Sequence, residues 1–544
     1  MTTGGDLLVG ALRRRGIDTV FGLPGVQLDG LFDALAKAPD IRVVHTRHEQ
    51  GAAYMADGYA RATGRVGVCA VVPGPGVLNA GAGLANAYAT HSPVLLVAGH
   101  LFGGDRALGS GALHEIADQG AAIAGIIGQS HKARTPGEIG PTLDAAFDRL
   151  LGFPVRPAAI EIGPDVLLAE TSLDVPVAGR RPEPPEIDAA AIESAAAVLA
   201  GVSRPMILAG GGARLAAEGL QSLAAALGAP VVMTPEGKGA IPGSLPEALP
   251  HAAGYSLLDD VDAVVVVGSR FNTTIGPVRI DPSAVLVRID ADPSRLPEAR
   301  AEGGELVTIH ADAALATIEL AAAVAKVRTA DPERDELHRV RVDEARTAVL
   351  RGLAGEYPET WAMCQALRDA MPEDAVLVDE MTQVAYMARN AFDVPGPHHY
   401  IGPGYQGTLG FGYATALGAK VGRPDRAVVS VNGDGGFLYT ATELATAAHH
   451  AIAVIAVVFT DNAYGNVKGI QQRTYGREIA SSLTNPDFAK LAESFGVHGA
   501  KAADAAELRT VLAAAIERDE PAVIEVPIGP QPDMFAILGG RRRL

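Results

Sequence analysis

The stretch Gly433 to Gly465 reads GDGGFLYTATELATAAHHAIAVIAVVFTDNAYG, and its reading decides the fold. It follows an unbroken apolar run, Ala427 to Val431, of the kind found in parallel strands buried on both faces. The glycines after that run mark a tight turn into a helix, a place where backbone N–H groups can face a phosphate. Asp434 sits in the turn, and a second apolar run, Ala451 to Phe459, carries Asp461 to its carboxyl end. Two neighbouring parallel strands thus bring two carboxylates to one sheet edge, which is what an oxygen-ligated Mg²⁺ bridging a diphosphate requires.

Outward from this stretch, the 544 residues exceed what one core holds, and roughly 150 residues per domain gives about three to four units. A formal net charge of −18 argues against a nucleic-acid or anionic-membrane partner, because both select basic surfaces. The two cysteines, Cys69 and Cys364, lie far apart, so no disulfide framework is expected and a cytoplasmic setting fits. The N-terminus lacks the order of regions of a signal peptide, and no apolar run approaches the roughly 18 residues of a membrane span.

Residues 1–175 alternate short strands (Asp18 to Phe21, Ile41 to His45, Val66 to Val72, Pro93 to Ala98, Ala158 to Ile162) with helices at Gly51 to Ala62 and Leu78 to Tyr88. A stiff, charged linker at Arg180 to Glu186 precedes a second α/β unit, 188–325, with strands at Pro205 to Ala209, Pro230 to Met233, Asp262 to Gly268 and Val285 to Ile289. The charged run Lys326 to Glu336 separates a third unit, 355–528, and a tail spans 529–544. The expected fold class is α/β, three doubly wound parallel-sheet domains, without a clear sequence repeat. In the first unit Glu49 stands at the end of a strand and the mouth of an Ala-rich helix, where apolar packing would raise a carboxyl pKa and let it share a proton with a ring nitrogen.

The residues between Gly435 and Thr460 number 24, positions 436 to 459, ahead of the pair Thr460-Asp461. That resembles the thiamine diphosphate signature, GDG and a following pair that is usually Asn-Asn. Reading the pair as Asp461-Asn462 would lengthen the gap by one; Asp461 as ligand also puts Gly465 where the family has its next glycine. RHEQGAAYMADGYAR (47–61), FGLPG (21–25), GPGVLN (74–79), HSP (91–93) and GTLGFGYATALGA (407–419) resemble thiamine diphosphate enzymes of the acetolactate synthase kind, in that family's domain order: pyrimidine-binding, central, diphosphate-binding.

The resemblance implies thiamine diphosphate and Mg²⁺ as cofactors. It makes Glu49 the partner of the aminopyrimidine N1′, with Pro24, Gly25 and Asn79 lining the pyrimidine. Leu409, read as part of a helix, becomes the apolar wedge between the two rings. Gln383, Gly407, Gly435, Gly436, Tyr464 and Gly465 surround the cofactor, and Asp434, Asp461 and the Ala463 carbonyl hold the metal. It also implies active sites between two subunits, hence a homodimer or homotetramer. The reaction class is then cleavage of a C–C bond beside a carbonyl, CO₂ leaving from a 2-oxo acid, and ligation of the residual acyl-anion equivalent to a carbonyl acceptor.

Ile470 stands where acetolactate synthase has an acceptor-selecting tryptophan, beside Gln471. His114 replaces a glutamine and is a candidate proton donor; Val26 and Gln27 shape the donor pocket. No paired His-His of the pyruvate decarboxylase type is present, so carboligation, or cleavage of a diketone or acyloin, is favoured over aldehyde release. The turn Gly210 to Gly212, after a strand and opening a helix, raises a flavin- or NAD-dependent oxidoreductase as a rival, but GxGxxG is not met and FAD is not favoured. A catalytically silent scaffold is opposed by the joint presence of Glu49, Asp434 and Asp461. The tail is expected to fold over the substrate channel.

Overall fold

The computed structural model describes residues 2–103, 105, 108–273, 276–300, 303–529 and 534. Three parallel sheets of six strands organise it. The N-terminal sheet holds β1 (Thr19–Gly22), β2 (Arg42–His45), β3 (Gly67–Val71), β4 (Val94–Gly99), β5 (His131–Ala133) and β6 (Ala158–Ile162), in the order β2-β1-β3-β4-β6-β5. The central sheet holds β7 (Pro205–Ala209), β8 (Val231–Met233), β9 (Ala248–Pro250), β10 (Ala263–Val267), β11 (Val285–Asp290) and β12 (Leu306–His310), in the order β9-β8-β7-β10-β11-β12. The C-terminal sheet holds β13 (Val376–Asp379), β14 (Tyr400–Ile401), β15 (Val428–Gly433), β16 (Val454–Thr460), β17 (His498–Lys501) and β18 (Ala522–Pro527), in the order β14-β13-β15-β16-β18-β17. The two outer sheets therefore share one strand order, a repeat in space. The central sheet has the order common to dinucleotide-binding folds.

The expected strands are present with shifted ends. The run from Ala451 begins pairing only at Val454, because Ala451 takes a left-handed conformation that caps the preceding helix. Lys326 to Glu336 is not a bare separator: it contains the end of one helix and the start of a helix of 25 residues, Pro332–Glu356. Arg180 to Glu186 carries no regular structure.

Four helices place the site: α1 (Glu49–Thr63), α2 (Pro75–Thr90), α3 (Gln383–Ala391) and α4 (Phe411–Gly422). α1 follows β2 and α4 follows β14, so they occupy equivalent places in the two outer domains, and they pack against each other with backbones close. A Cβ on Gly58 would lie 1.9 Å from the Thr415 carbonyl oxygen, and one on Gly418 would lie 1.9 Å from that of Met55. Only glycine permits that reciprocal approach, which merges the faces of both domains into one core running from Phe21 to Phe437.

The glycine turn Gly210 to Gly212 has a packing cause. A Cβ on Gly210 would meet the Gly268 carbonyl oxygen at 2.3 Å, and the turn enters a short 3₁₀ segment, Gly211–Ala213, rather than opening a helix directly. Cys69 and Cys364 are buried and unpaired. Among the described residues no helix is long and apolar enough to cross a membrane.

Candidate active site

Two groups of residues sit at the carboxyl ends of the outer sheets, where parallel α/β sheets bind ligands. In the first, β2 ends at His45, a three-residue turn follows, and Glu49 is the first residue of α1, capped by the His48 ring nitrogen accepting the Gln50 N–H at 3.1 Å. Asn79, on α2, donates its amide to the Glu49 carboxylate at 2.9 Å. Gly76 lies beside it, a Cβ there falling 3.6 Å from Glu49 Oε1. Beneath, the buried Cys69 thiol is pushed far up by burial and then by the Glu49 charge.

The turn before Glu49 is held from the other outer domain. Glu443, fully buried, accepts the N–H of Arg47 on both oxygens (3.2 and 3.1 Å) and that of His48 (3.0 Å), and takes the Thr446 hydroxyl at 2.6 Å. Burial raises its pKa against the pull of these donors. A counterpart stands at the start of α4, where Glu380 accepts the Gly410 N–H. Burial pushes the Glu380 carboxyl up to about 8, opposed by the amides of Gly410, Gly412 and Phe411. Sequence reading passed over both glutamates. Glu443 had a usable signal, a carboxylate in an otherwise apolar and small-residue run.

The turns around Glu49 gather the remaining N-terminal residues. Gln27, buried after β1, donates to the Leu113 carbonyl at 3.3 Å and so ties its loop to the turn bearing His114. His114 has a positive φ of 68° and a buried Nδ1 without a partner, and it lines a cavity with Pro73, His100, Asp118 and Gln119. The carbonyl of His114 lies 2.2 Å from where a Cβ on Gly74 would be, which requires glycine there. Val26 and Pro24 are exposed, and Gly25 packs against Val72.

The second group is at β15 and β16, adjacent and parallel with Gly433 opposite Phe459. Asp434 begins the helix α5 (Asp434–Thr440). One of its oxygens accepts the Gly435 N–H at 2.7 Å, and the other accepts the Asn462 N–H at 2.7 Å and the Asn485 amide at 2.8 Å. Asp461 accepts the Ala463 N–H at 3.1 Å. Burial raises the pKa of Asp434; burial and then the charge of Asp434 raise that of Asp461. Among the described residues neither carboxylate has a salt bridge. Two carboxylates left to oppose each other, in an all-oxygen and amide setting, fit a hard divalent cation. A Cβ on Gly465 would stand 2.6 Å from Asp461 Oδ2, and one on Gly435 would strike the Tyr464 ring at 2.5 Å, so both glycines keep this corner open. The bridge between Ala463 and Ser482 uses the Asn462 carbonyl and the Tyr464 N–H and leaves the Ala463 carbonyl out of its bonds. Asn485 gave no sign in the sequence, lying in a loop distant from the motif.

Gln383 heads α3, donates to Asn466 at 2.6 Å and accepts the Met534 N–H at 2.9 Å. Of the tail, only Gly529 and the buried Met534 fall among the described residues, and the Met534 backbone N–H meets Gln383 at the head of α3. Leu409 is not helical: it lies half-buried in the turn before α4, whose cap, Gly410, has a φ of 83°, while Gly407 has a φ of 55° and faces Met381. On the helix Gly465–Tyr475, Ile470 is 44% exposed, whereas both ends of the Gln471 amide are bonded to the Ile479 backbone, at 3.2 and 3.0 Å. Gly436 is buried beside Glu380, where a Cβ would meet Oε1 at 2.4 Å.

Comparison with known proteins agrees with this layout. Residues 2–122 match the N-terminal TPP binding domain of the thiamine pyrophosphate enzymes, 192–320 their central domain and 380–526 their C-terminal TPP binding domain. Over 536 residues the chain is 35% identical to a probable 2-ketoarginine decarboxylase of Pseudomonas aeruginosa, covering 96% of this chain and 94% of that one. It is 31% identical over 558 residues to a probable acetolactate synthase large subunit of Methanocaldococcus jannaschii (97% and 92% covered). It is 32% identical over 555 residues to the acetolactate synthase large subunit of Parasynechococcus marenigrum (97% and 87% covered). The chain therefore belongs to the thiamine pyrophosphate enzyme family, as an acetolactate synthase-like, thiamine diphosphate-dependent decarboxylase or carboligase.

Proposed function

We propose that the chain decarboxylates a 2-oxo acid, with Mg²⁺ and thiamine diphosphate, and ligates the product to a carbonyl acceptor. The observation that carries the reading is the division of the site: a carboxyl poised on one outer domain (Glu49, held by Asn79), and a pair of carboxylates on the other (Asp434 and Asp461). Bound, thiamine diphosphate supplies the electron sink for breaking a C–C bond beside a carbonyl. Glu49 would hold a proton against the pyrimidine ring nitrogen, and Asn79 would fix the carboxyl that does so. Asp434 and Asp461, with an oxygen from Ala463, would hold the metal on the diphosphate, and Gln383, Gly435, Gly436, Tyr464 and Gly465 would border it. His114 would orient the substrate carboxylate or carbonyl from a turn fixed by Gln27.

Among the described residues no hydrogen bond joins the two groups within one chain. The site is completed in this reading by a second copy, each subunit giving its Glu49 to the other's carboxylate pair. The exposed apolar side chains beside both groups support it: Leu78 at 55%, Val26 at 50%, Tyr439 at 52% and Val467 at 50%. They are what a partner's surface would cover.

A second reading has its own support. The Pseudomonas relative is named a probable 2-ketoarginine decarboxylase. Decarboxylation with release of the aldehyde is the outcome it favours. The test is product analysis with pyruvate and with 2-oxo-5-guanidinopentanoate, comparing wild type with Glu49→Gln. An acyloin or acetolactate product lost in the variant supports carboligation; CO₂ and aldehyde alone support the second reading. Turnover unchanged in Glu49→Gln refutes the role of Glu49, and no CO₂ from either acid refutes decarboxylation.

A further inference from the structure

Away from the two groups, three imidazoles converge where the outer domains meet. His45 ends β2, and His449 and His450 end the helix Leu444–His450, more than four hundred residues along the chain. One ring nitrogen from each lies within 4.8 Å of the others. The ring centroids of His45 stand 4.5 Å from those of His449 and 4.7 Å from those of His450, and His449 and His450 are 4.7 Å apart. His450 Nε2 is 3.1 Å from His45 Nδ1 and also accepts the His45 backbone N–H at 3.2 Å.

We propose that His45, His449 and His450 bind a transition-metal ion of the Zn²⁺ class, which staples the N-terminal domain to the C-terminal domain within one chain. Three nitrogens with one open position match the ligand set that Zn²⁺ takes when solvent holds its fourth site, and the exposed His449 supplies that opening. A tetrahedral site with Zn–N distances of about 2.0–2.1 Å sets its nitrogens about 3.3 Å apart, so small ring rotations from the present spacing suffice. Side-chain softness selects the ion: imidazoles alone favour Zn²⁺, Ni²⁺ or Cu²⁺ over the Mg²⁺ suited to the carboxylates of the other group.

The charged groups facing the cluster are Arg42, which donates to the His450 carbonyl at 3.3 Å, and Arg47. With burial and the neighbouring rings they keep imidazoles neutral: His45 is lowered, and His450 is lowered to about 4. Ligation through His450 Nε2 replaces two hydrogen bonds, the ring-to-ring one and the one accepted from the His45 backbone N–H.

The test uses the full-length protein saturated with thiamine diphosphate and Mg²⁺, so that the carboxylate site is already filled. Zn²⁺ is titrated by calorimetry, and Co²⁺ is added as a chromophore. One Zn²⁺ per chain is expected, displacing Co²⁺ that shows the visible bands of a four-coordinate nitrogen site. His449→Ala and His45→Ala are each expected to weaken binding at least about a hundredfold, beyond the roughly 10–100-fold that losing an outer partner of a ligand costs. His449 is exposed and makes no hydrogen bond among the described residues that folding would miss, and a metal-free melting midpoint equal to wild type would verify that. Zn²⁺ should raise the midpoint of wild type and of neither variant. No saturable Zn²⁺ binding by wild type, or binding retained by either variant, overturns the proposal.

Discussion

Replacing Glu443 by alanine tests how the C-terminal domain positions the turn that leads to Glu49. The carboxylate is fully buried and accepts two backbone N–H groups, those of Arg47 and His48, in the turn that ends at Glu49. A hydrogen bond to a charged acceptor contributes about 1.5–3 kcal/mol, so the pair amounts to about 3–6 kcal/mol. Water reaching the partly buried turn, and relief of a carboxyl whose own pKa is raised by burial, bring the expected destabilisation of Glu443→Ala to about 2–4 kcal/mol. Urea unfolding with an unchanged slope measures it. Because the freed turn leads directly into α1, turnover at saturating cofactor should fall by about 10–100-fold, a positional loss of about 1.4–2.7 kcal/mol in the barrier. Gly51 offers an internal check: a Cβ there would sit 2.5 Å from Glu443 Oε1. Gly51→Ala should destabilise the wild type and be nearly neutral beside Glu443→Ala, giving a coupling energy of about 1–3 kcal/mol. Wild-type stability and turnover in Glu443→Ala, or additive effects of the two changes, would refute the reasoning.

Three further outcomes are expected. Glu380 is raised on folding from 4.5 to about 8, so between those values the folded state holds more protons than the unfolded one and stability falls as pH rises, levelling above about 8. The span is on the order of 5 kcal/mol, and Glu380→Gln should flatten it in urea titrations of the cofactor-free protein; an unchanged slope would assign it elsewhere. Gly58→Ala forces α1 from α4, since its Cβ would lie 1.9 Å from the Thr415 oxygen, and should cost about 1–3 kcal/mol or more by thermal melting. Gly125→Ala, with nothing within 4 Å, should instead stabilise by about 0.5–1 kcal/mol, and equal effects would contradict the packing argument. Asp461→Ala should raise the Mg²⁺ concentration for half-maximal turnover by at least about tenfold, and an unchanged requirement would transfer the ligand role to Asn462.

Long buried apolar runs were legible in the sequence, although β13 (VLVD) and β18 (AVIEVP), also buried, were not singled out. β15 and β16 are buried on both faces along nearly their whole length, so their apolar runs stood out. The edge strands β5 (HKA) and β17 (HGAK) were not seen, because they are short and half-exposed and lack the apolar run that betrays a buried strand, whereas β2, also at an edge, was read. The helix Pro332–Glu356 read as a charged separator because it buries only His338, Val342, Val349 and Leu353, a seam too thin to show among its charges. Leu409 read as helical, but Gly410, at a positive φ, caps the helix, which begins at Phe411. Glu443 showed in the sequence only as a carboxylate in a small-residue run; its role did not show, because its partners are backbone amides of another domain, which leave no mark in a sequence.

The shared strand order of the outer sheets explains why these partners matter. One topology built twice places α1 and α4 in equivalent positions, each with a buried glutamate at its amino end, Glu443 for one and Glu380 for the other. What differs is the residue at the mouth of the helix, the Glu49 carboxyl in one case and Leu409 with Gly410 in the other. Scaffolds of one strand order thus present a titratable group on one side and an apolar one on the other. The division of labour lies in those few positions, and a change that moves either helix should be felt at both.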